Sequence, residues 1–538
     1  MNQQKFEFIL GKNVPRQSIK VLLGCTLLVL ASALHPILAY MADPMIQAAL
    51  VITGSPLHMA NMVFILLTFT GVLTAGALSD VYGRKKLLII GASGLVLFSV
   101  IAFFFPVNPN QLILRAVGSL FSGLMIPLGI TAVALAFDMK LRPQAFFLVF
   151  AASGVGILLR PVLEDMWVTL LGSEGAANLS TIILGAIGLY IIWRSMPESK
   201  AQAGAHKFGM MGIVLWSLAI LFILFAVMTF LAGGSAETSM WSLLLGLVVF
   251  AVAWWWSARE LKSWKERMTA LKDQAFMQDP KMKQLAFAII AGVVFFFAEG
   301  ALIYQYYNYI YWIREVSGLQ LLLAYLPLAV GALAMGVIAV RRLNNIPGYI
   351  LLSFSLALGG LALLGLSILA PDTPAWWIAI MMAIFGGVLI LVNMVRALIV
   401  LNSISENYYG SMSAINNVTG RLGYTFGMAA SCFMLLTFSI TNIQQQLAAA
   451  GVTPEMMATL KDTVQNSILV QNFIPSEDVI KTFPESVKVI LSESMGQTFL
   501  IIGISQLITA VIVWFGLKPK GVTLPKLIQK RRLDRKNK

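Results

Sequence analysis

The chain has 538 residues, 58% of them hydrophobic and only 12% charged, with a mean hydropathy of +0.82. Soluble globular chains carry about a quarter charged residues, so this composition excludes one and indicates a polytopic membrane protein. The net charge of +14 does not mark a nucleic-acid binder, because the cations sit in short segments between apolar runs, where membrane topology is encoded.

Lys5, Lys12, Arg16 and Lys20 precede an apolar run from about Val21 to Met41. That run exceeds the roughly 7–15 residues of a signal-peptide core and lacks a small-residue cleavage site, so it reads as a retained first helix. A spanning helix needs about 20 mainly apolar residues. On that basis the chain offers about fourteen: 21–41, 58–79, 87–105, 112–136, 144–169, 177–195, 208–232, 240–257, 285–312, 319–340, 349–370, 375–400, 410–440 and 497–517. The expected fold class is all-α and polytopic. Cys25 and Cys432 lie inside spans, which indicates neither a disulfide framework nor a metal site.

With the N-terminus inside, the inner segments collect about thirty of the 38 Lys and Arg, and the short outer loops hold almost none. Both termini are therefore expected to be cytoplasmic, in a cell (inner or plasma) membrane. The segment from about Thr441 to Gly496 is the only long outer one and is expected to form a partly helical cap. The expected organisation is a six-helix unit over 1–199, two inserted spans and a basic loop over 200–283, a second six-helix unit over 284–517, and a basic tail over 518–538. A faint repeat supports two related halves. Gly336-Val337-Ile338-Ala339-Val340-Arg341-Arg342 at the exit of the tenth span echoes a charged turn at the exit of the second.

That turn is Gly76-Ala77-Leu78-Ser79-Asp80-Val81-Tyr82-Gly83-Arg84-Lys85-Lys86. Gly76 removes a side chain where helices approach, Gly83 permits a tight reversal, and Asp80 can accept hydrogen bonds from Arg84 or from a helix N-terminus. The stretch matches G-x-L-x-D-x-x-G-R-K at every specified position. It resembles the signature loop of the major facilitator superfamily, and specifically its fourteen-helix drug:proton antiporter branch. Pro44 to Leu50, Pro197-Glu198-Ser199, and Asn417, Gly423 and Gly427 resemble that branch's first, sixth and penultimate helices. The resemblance implies two six-helix bundles around a central cavity with two extra helices between them. It also implies that Gly76, Asp80, Gly83 and Arg84 latch the bundles in an outward-facing state.

Ionisable residues inside spans are costly and so are candidates for function. Arg115, in the fourth span, resembles the family's buried arginine there, although Gly118 and Ser119 replace the usual Gln-Gly. The fifth span departs from the antiporter motif G-x-x-x-G-P-x-x-G-G. Gly156 and Pro161 remain, while Arg160, Glu164 and Asp165 introduce charge, with Arg160 and Glu164 at a pairing distance along the helix. His35 stands where the branch commonly has an acidic residue in the first span; a proton carrier and a hydrogen-bonded packing residue are both open readings. Glu299 lies midway along the ninth span and shares a face with Tyr306, a combination suited to proton binding or to a cationic substrate. Tyr309, Tyr311 and Trp312 read as an outer aromatic belt, and Arg421 lies in the thirteenth span.

No phosphate-binding or dinucleotide fingerprint stands in a suitable context, and three scattered histidines make no metal site. The chain is not expected to be an enzyme or to use a cofactor. The expected function is proton-coupled efflux of amphipathic or cationic small molecules by alternating access. Its expected partners are substrate, protons and the lipid bilayer, with no nucleic acid and a monomer as the working unit. The alternative is a proton symporter or facilitator for a small polar or anionic metabolite, dependent on Arg160 or Arg421. A non-transporting scaffold or sensor is a third reading.

Overall fold

The computed structural model describes residues 14–35, 55–105, 109–199, 215–216, 218–219, 222–223, 226, 236–260, 280–316, 318–342, 346–404, 406–449 and 485–517. Every long element among them is a helix: α1 (Arg16–Leu34), α2 (Ser55–Tyr82), α3 (Arg84–Phe104), α4 (Pro109–Ala136), α5 (Arg142–Leu171), α6 (Leu179–Ser195), α7 (Ala236–Glu260), α8 (Pro280–Asn308), α9 (Gly318–Arg342), α10 (Gly348–Leu366), α11 (Ala375–Asn402), α12 (Tyr409–Ala449) and α13 (Glu485–Leu517). Among the described residues, eleven helical stretches are long and apolar enough to cross a membrane. The span expected over 208–232 falls almost wholly outside the described residues, as do 36–54 with the Pro44 to Leu50 motif, the basic loop 261–279 and the tail.

Helix ends follow local chemistry. Gly83 separates α2 from α3 at φ 109°, a conformation that only glycine adopts freely. A Cβ there would also lie 2.5 Å from Glu198 Oε1, so the turn closes against the Pro197-Glu198-Ser199 segment. α5 closes on left-handed Gly172, whose N–H donates to the Val168 carbonyl at 2.9 Å. The segment expected to be partly helical is helical at both of its ends. α12 runs on to Ala449 and α13 starts at Glu485, so helix occupies both ends of 441–496, while 450–484 lie outside the described residues. Hydropathy hides these turns because they are rich in hydroxyls. Ser492, Ser494 and Thr498 return their hydroxyls to carbonyls three or four residues back, and Asn442 donates to Ser494 Oγ at 2.9 Å across the two helices.

The helices form two bundles, α1–α6 and α8–α13, with the same internal pairings. α2 packs on α4 as α9 packs on α11, α1 on α5 as α8 on α12, and α3 on α6 as α10 on α13. Glycine pairs set the closest crossings. A Cβ on Gly71 would lie 2.0 Å from Leu120 O and one on Gly123 2.1 Å from Thr68 O; in the second bundle Gly331 and Gly386 stand 1.9 Å from Ala383 O and Leu328 O in the same sense. Gly71 and Gly76 on α2 thus recur as Gly331 and Gly336 on α9. One core gathers Val21, Leu28, Leu95, Met125 and Phe146, the other Phe295, Leu356, Phe385, Phe499 and Val513. Between the bundles, α2 meets α12 and α9 meets α5, again as an equivalent pair.

Candidate functional site

The bundles are joined at the end that carries Arg84, Lys85 and Lys86, here called the basic end. Asp80, in the last turn of α2, faces the first turn of α12. Its Oδ1 accepts from the Gly410 amide at 3.1 Å and from Arg84 Nη2 at 2.9 Å, and its Oδ2 accepts from the Ser411 amide and Ser411 Oγ, both at 2.8 Å. A carboxylate at a helix N-terminus satisfies free amides and the favourable end of the helix dipole together. Arg84, itself buried, also donates to the Glu406 carbonyl of the other bundle. The approach requires Gly76 and Gly410, since a Cβ on Gly76 would fall 2.4 Å from that of Ala414 and one on Gly410 2.2 Å from Ser79 Oγ. The four residues of the expected latch are brought together.

Sequence reading missed a second tie at the same end. Arg142, in the first turn of α5, donates through Nη1 to Asn402 Oδ1 and to the Tyr409 hydroxyl, both at 3.1 Å, and its guanidinium lies 5.4 Å from the centre of the Tyr409 ring. Thr131 Oγ1 donates to the Tyr409 carbonyl at 3.4 Å, and Ser413 Oγ to the Pro127 carbonyl at 3.0 Å. In the equivalent α9–α5 contact Gly336 lies against the Phe147 ring, where a Cβ would be 2.0 Å from a ring carbon. The repeat thus carries a polar latch in one half and an apolar seat in the other, as Val340 in place of an aspartate suggests. Eight hydrogen bonds thus join the bundles at this end.

Further along the bundle interior the candidates separate. Glu299 is half-buried in the middle of α8 and, among the described residues, has no hydrogen-bonding or ionic partner. Tyr306 shares its face but is committed elsewhere: its hydroxyl donates to the Ala324 carbonyl at 2.9 Å, and its ring meets Tyr325 edge-on with centroids 5.0 Å apart. Tyr325 is also within electrostatic range of Tyr307 and of Tyr424, so α8, α9 and α12 bring tyrosines to the same part of the bundle. Of the expected outer aromatic belt, Tyr309 and Trp312 face inward. Both are buried in the π-helical turn Tyr309–Ile313, which packs into the second core, and the Tyr309 hydroxyl donates to the Ala370 carbonyl at 2.8 Å.

His35, 1% exposed, lies inside the first bundle with Nδ1 3.5 Å from Ser99 Oγ and its imidazole against Gly118. Arg160 and Glu164 form an ion pair at 3.6 Å on the face of α5 that seats Gly156 on Ala33 and Trp167 on Ser180. Asp165 does not join them: at about 100° per residue it lies on another face, and it is exposed. Arg115 is in the second turn of α4, and its side chain lies outside the described residues.

Another buried charge escaped the sequence reading. Arg396 of α11, 1% exposed, donates to the Ala288 carbonyl of α8 at 3.2 Å, to the Asn416 carbonyl of α12 at 2.8 Å and to Thr419 Oγ1 at 3.1 Å, with its guanidinium 5.2 Å from the Phe296 ring centre. It occupies a slot vacated by Gly292, where a Cβ would lie 2.0 Å from Cζ. A charge inside the span 375–400 was the available signal. Its role as a three-helix tie needs the fold.

Among the described residues no group of His, Cys, Asp or Glu could hold a metal ion. Comparison with known proteins matches the family described as Major Facilitator Superfamily over residues 22–428. The chain is 25% identical over 393 residues to the probable actinorhodin transporter of Streptomyces coelicolor, covering 66% of this chain and 62% of that protein, so the match spans under two thirds of that relative. It is 22% identical over 413 residues to the riboflavin transporter RibZ of Clostridioides difficile, covering 74% of this chain and 85% of that one. The solved human organic anion transporter MFSD10 superposes with a TM-score of 0.57 at 14% identity, over 94% of this chain and all of that one. The proton:xylose symporter XylE superposes at 0.54, also at 14% identity, over 98% and 99%.

Proposed function

The chain belongs to the major facilitator superfamily, whose members are transporters and not enzymes, and on that premise we propose that it is a secondary active transporter exporting an amphipathic organic molecule in exchange for protons. The bundles rock about a midplane site, with the basic end cytoplasmic and closed in the state described here. The Asp80 and Arg142 ties release when the opposite end closes. The observation that carries the coupling is Glu299, an intramembrane carboxylate with no partner among the described residues, since such a group is costly unless its protonation is used. The relatives from S. coelicolor and C. difficile, named as transporters of actinorhodin and riboflavin, support a cargo with a large organic body.

The test uses proteoliposomes holding a trapped pH dye. Riboflavin, an anthraquinone carboxylate and ethidium serve as the panel, and Glu299→Gln is run beside wild type. The expected result is substrate-evoked proton movement that Glu299→Gln abolishes while the protein still binds the active compound. No substrate-evoked proton movement in wild type refutes coupled export, and an undiminished response in Glu299→Gln removes that residue from the mechanism.

A further inference from the structure

Arg396 and Arg421 lie in the same bundle and differ in one respect. Arg396 is saturated by carbonyls, a threonine hydroxyl and an aromatic face. Arg421 has no hydrogen bond, ion pair or ring contact among the described residues, although it sits in the membrane-spanning part of α12. A charge in that setting is unfavourable unless something pairs with it.

Its direction follows from the stripe it belongs to. Ala414 of α12 rests on Gly76 of the other bundle; Arg421, seven residues and two turns further on, continues the same stripe toward the opposing bundle. The equivalent contact in the other half is Phe147 of α5 against Gly336, and seven residues beyond Phe147 is Gly154. Gly154 is exposed, and a Cβ built on it meets nothing within 4 Å. The unpaired guanidinium and a vacant glycine thus occupy equivalent places on the two helices that bound the inter-bundle space, above the seal at the basic end. Tyr424 is one turn beyond Arg421, and its backbone is locked to α8 by Gly300, 2.0 Å from the Tyr424 carbonyl oxygen in Cβ terms. Tyr325 and Tyr307 lie within electrostatic range of one another, and Tyr325 within that of Tyr424, so further phenol rings stand in the same region.

We infer that Arg421 is the anchor for an acidic group on the cargo, so that the transported molecule is an organic anion with a planar aromatic body. The guanidinium fork engages a carboxylate, sulfonate or phosphate in bidentate fashion, the tyrosines stack the ring system, and Gly154 leaves room for it. This names the substrate class of the transport reading above and rests on it. It also replaces the cationic cargo that Glu299 and Tyr306 suggest in the sequence.

The experiment measures binding to the full chain in lipid nanodiscs by fluorescence titration. Two matched pairs differ only in an acidic group: riboflavin 5′-phosphate against riboflavin, and anthraquinone-2-carboxylate against anthraquinone-2-methanol. Ethidium is the cationic probe. At least one pair is expected to show a tenfold or larger preference for the acid, lost in Arg421→Gln and partly kept in Arg421→Lys. Gly154→Leu, which leaves every charge in place, is expected to weaken the same acid at least fivefold. Thermal melts verify that each variant is folded. The inference is overturned if neither pair prefers the acid, if the preference survives in Arg421→Gln, or if ethidium binds more tightly than both acids. Proton-coupled flux of ethidium or riboflavin without any preference for acids would leave transport standing and remove the anion site. A preference for acids without flux would do the reverse.

Discussion

Replacing Asp80 by asparagine perturbs the inter-bundle seal with little change in shape. Asp80 accepts four hydrogen bonds, two on each oxygen, and three of them cross between bundles. An asparagine keeps one acceptor oxygen and turns an NH2 group toward donors, so two of the four contacts are lost. Hydrogen bonds to a charged group are worth about 1.5–3 kcal/mol each, and the low end gives about 3 kcal/mol for the pair. With the asparagine oxygen kept on Arg84 and the Gly410 amide, the two lost contacts are those from Ser411, which exist only while the basic end is closed, so the loss acts on the conformational equilibrium, and about 1.4 kcal/mol per factor of ten makes it roughly a hundredfold. A closed population of about 99% would fall to near one half. The assay is pulsed electron resonance between spin labels at Tyr82→Cys and Tyr408→Cys, two exposed positions at this end on opposite bundles; both native cysteines are buried. Asp80→Asn should add a long-distance component of comparable weight to the short one, and Ser411→Ala, which loses one contact, a component about ten times smaller than the short one. An unchanged distance distribution in Asp80→Asn would refute the latch and leave the carboxylate with a merely local role.

Tyr409→Phe keeps the ring beneath Arg142 and removes the hydroxyl that accepts from it; with the same spin labels it should open the basic end by about tenfold, less than Asp80→Asn. Gly336→Leu drives a side chain into the Phe147 ring and should open the same end without touching any charge, so an unchanged distance would show that the α9–α5 seat is dispensable. Gly292→Val evicts the Arg396 guanidinium from its slot, which leaves a buried charge unpaired at a cost of about 3–5 kcal/mol. A thermal melt should fall by several degrees, whereas Gly154→Ala, which meets nothing, should melt like wild type; equal melts for the two variants would remove Arg396 from the packing scheme.

The fold was legible where physics acts through sequence distance alone. Apolar length gave the spans, and the charged turn at Gly76 to Lys86 gave one end of the bundle, because Asp80 and Arg84 are a turn apart on one chain segment and pair locally. The echo at Gly336 was legible for the same reason, although its partner Phe147 was not. What distance along the chain does not encode is which buried polar group meets which. Arg160 and Glu164 look like a cluster with Asp165 until helical rotation separates them, and nothing near His35 in the chain says that it meets Ser99 and Gly118.

The two arginines Arg396 and Arg421, one buried and one half-buried, make the general point sharper. In sequence, Arg396 and Arg421 are equivalent: a lone cation inside an apolar run, expensive and therefore a candidate for function. Their difference lies in residues that seem unrelated to either. Gly292, more than a hundred positions before Arg396, vacates the slot it fills, and the carbonyls of Ala288 and Asn416 supply its acceptors. Arg421 has no such cradle among the described residues, and the position equivalent to it on the other bundle is a glycine facing open space. A buried charge is thus read as structural or functional only by accounting for its acceptors. In this bundle that accounting leaves Arg396 holding three helices together, while Arg421 and Glu299 are without acceptors or donors among the described residues and are the groups proposed to meet cargo and proton.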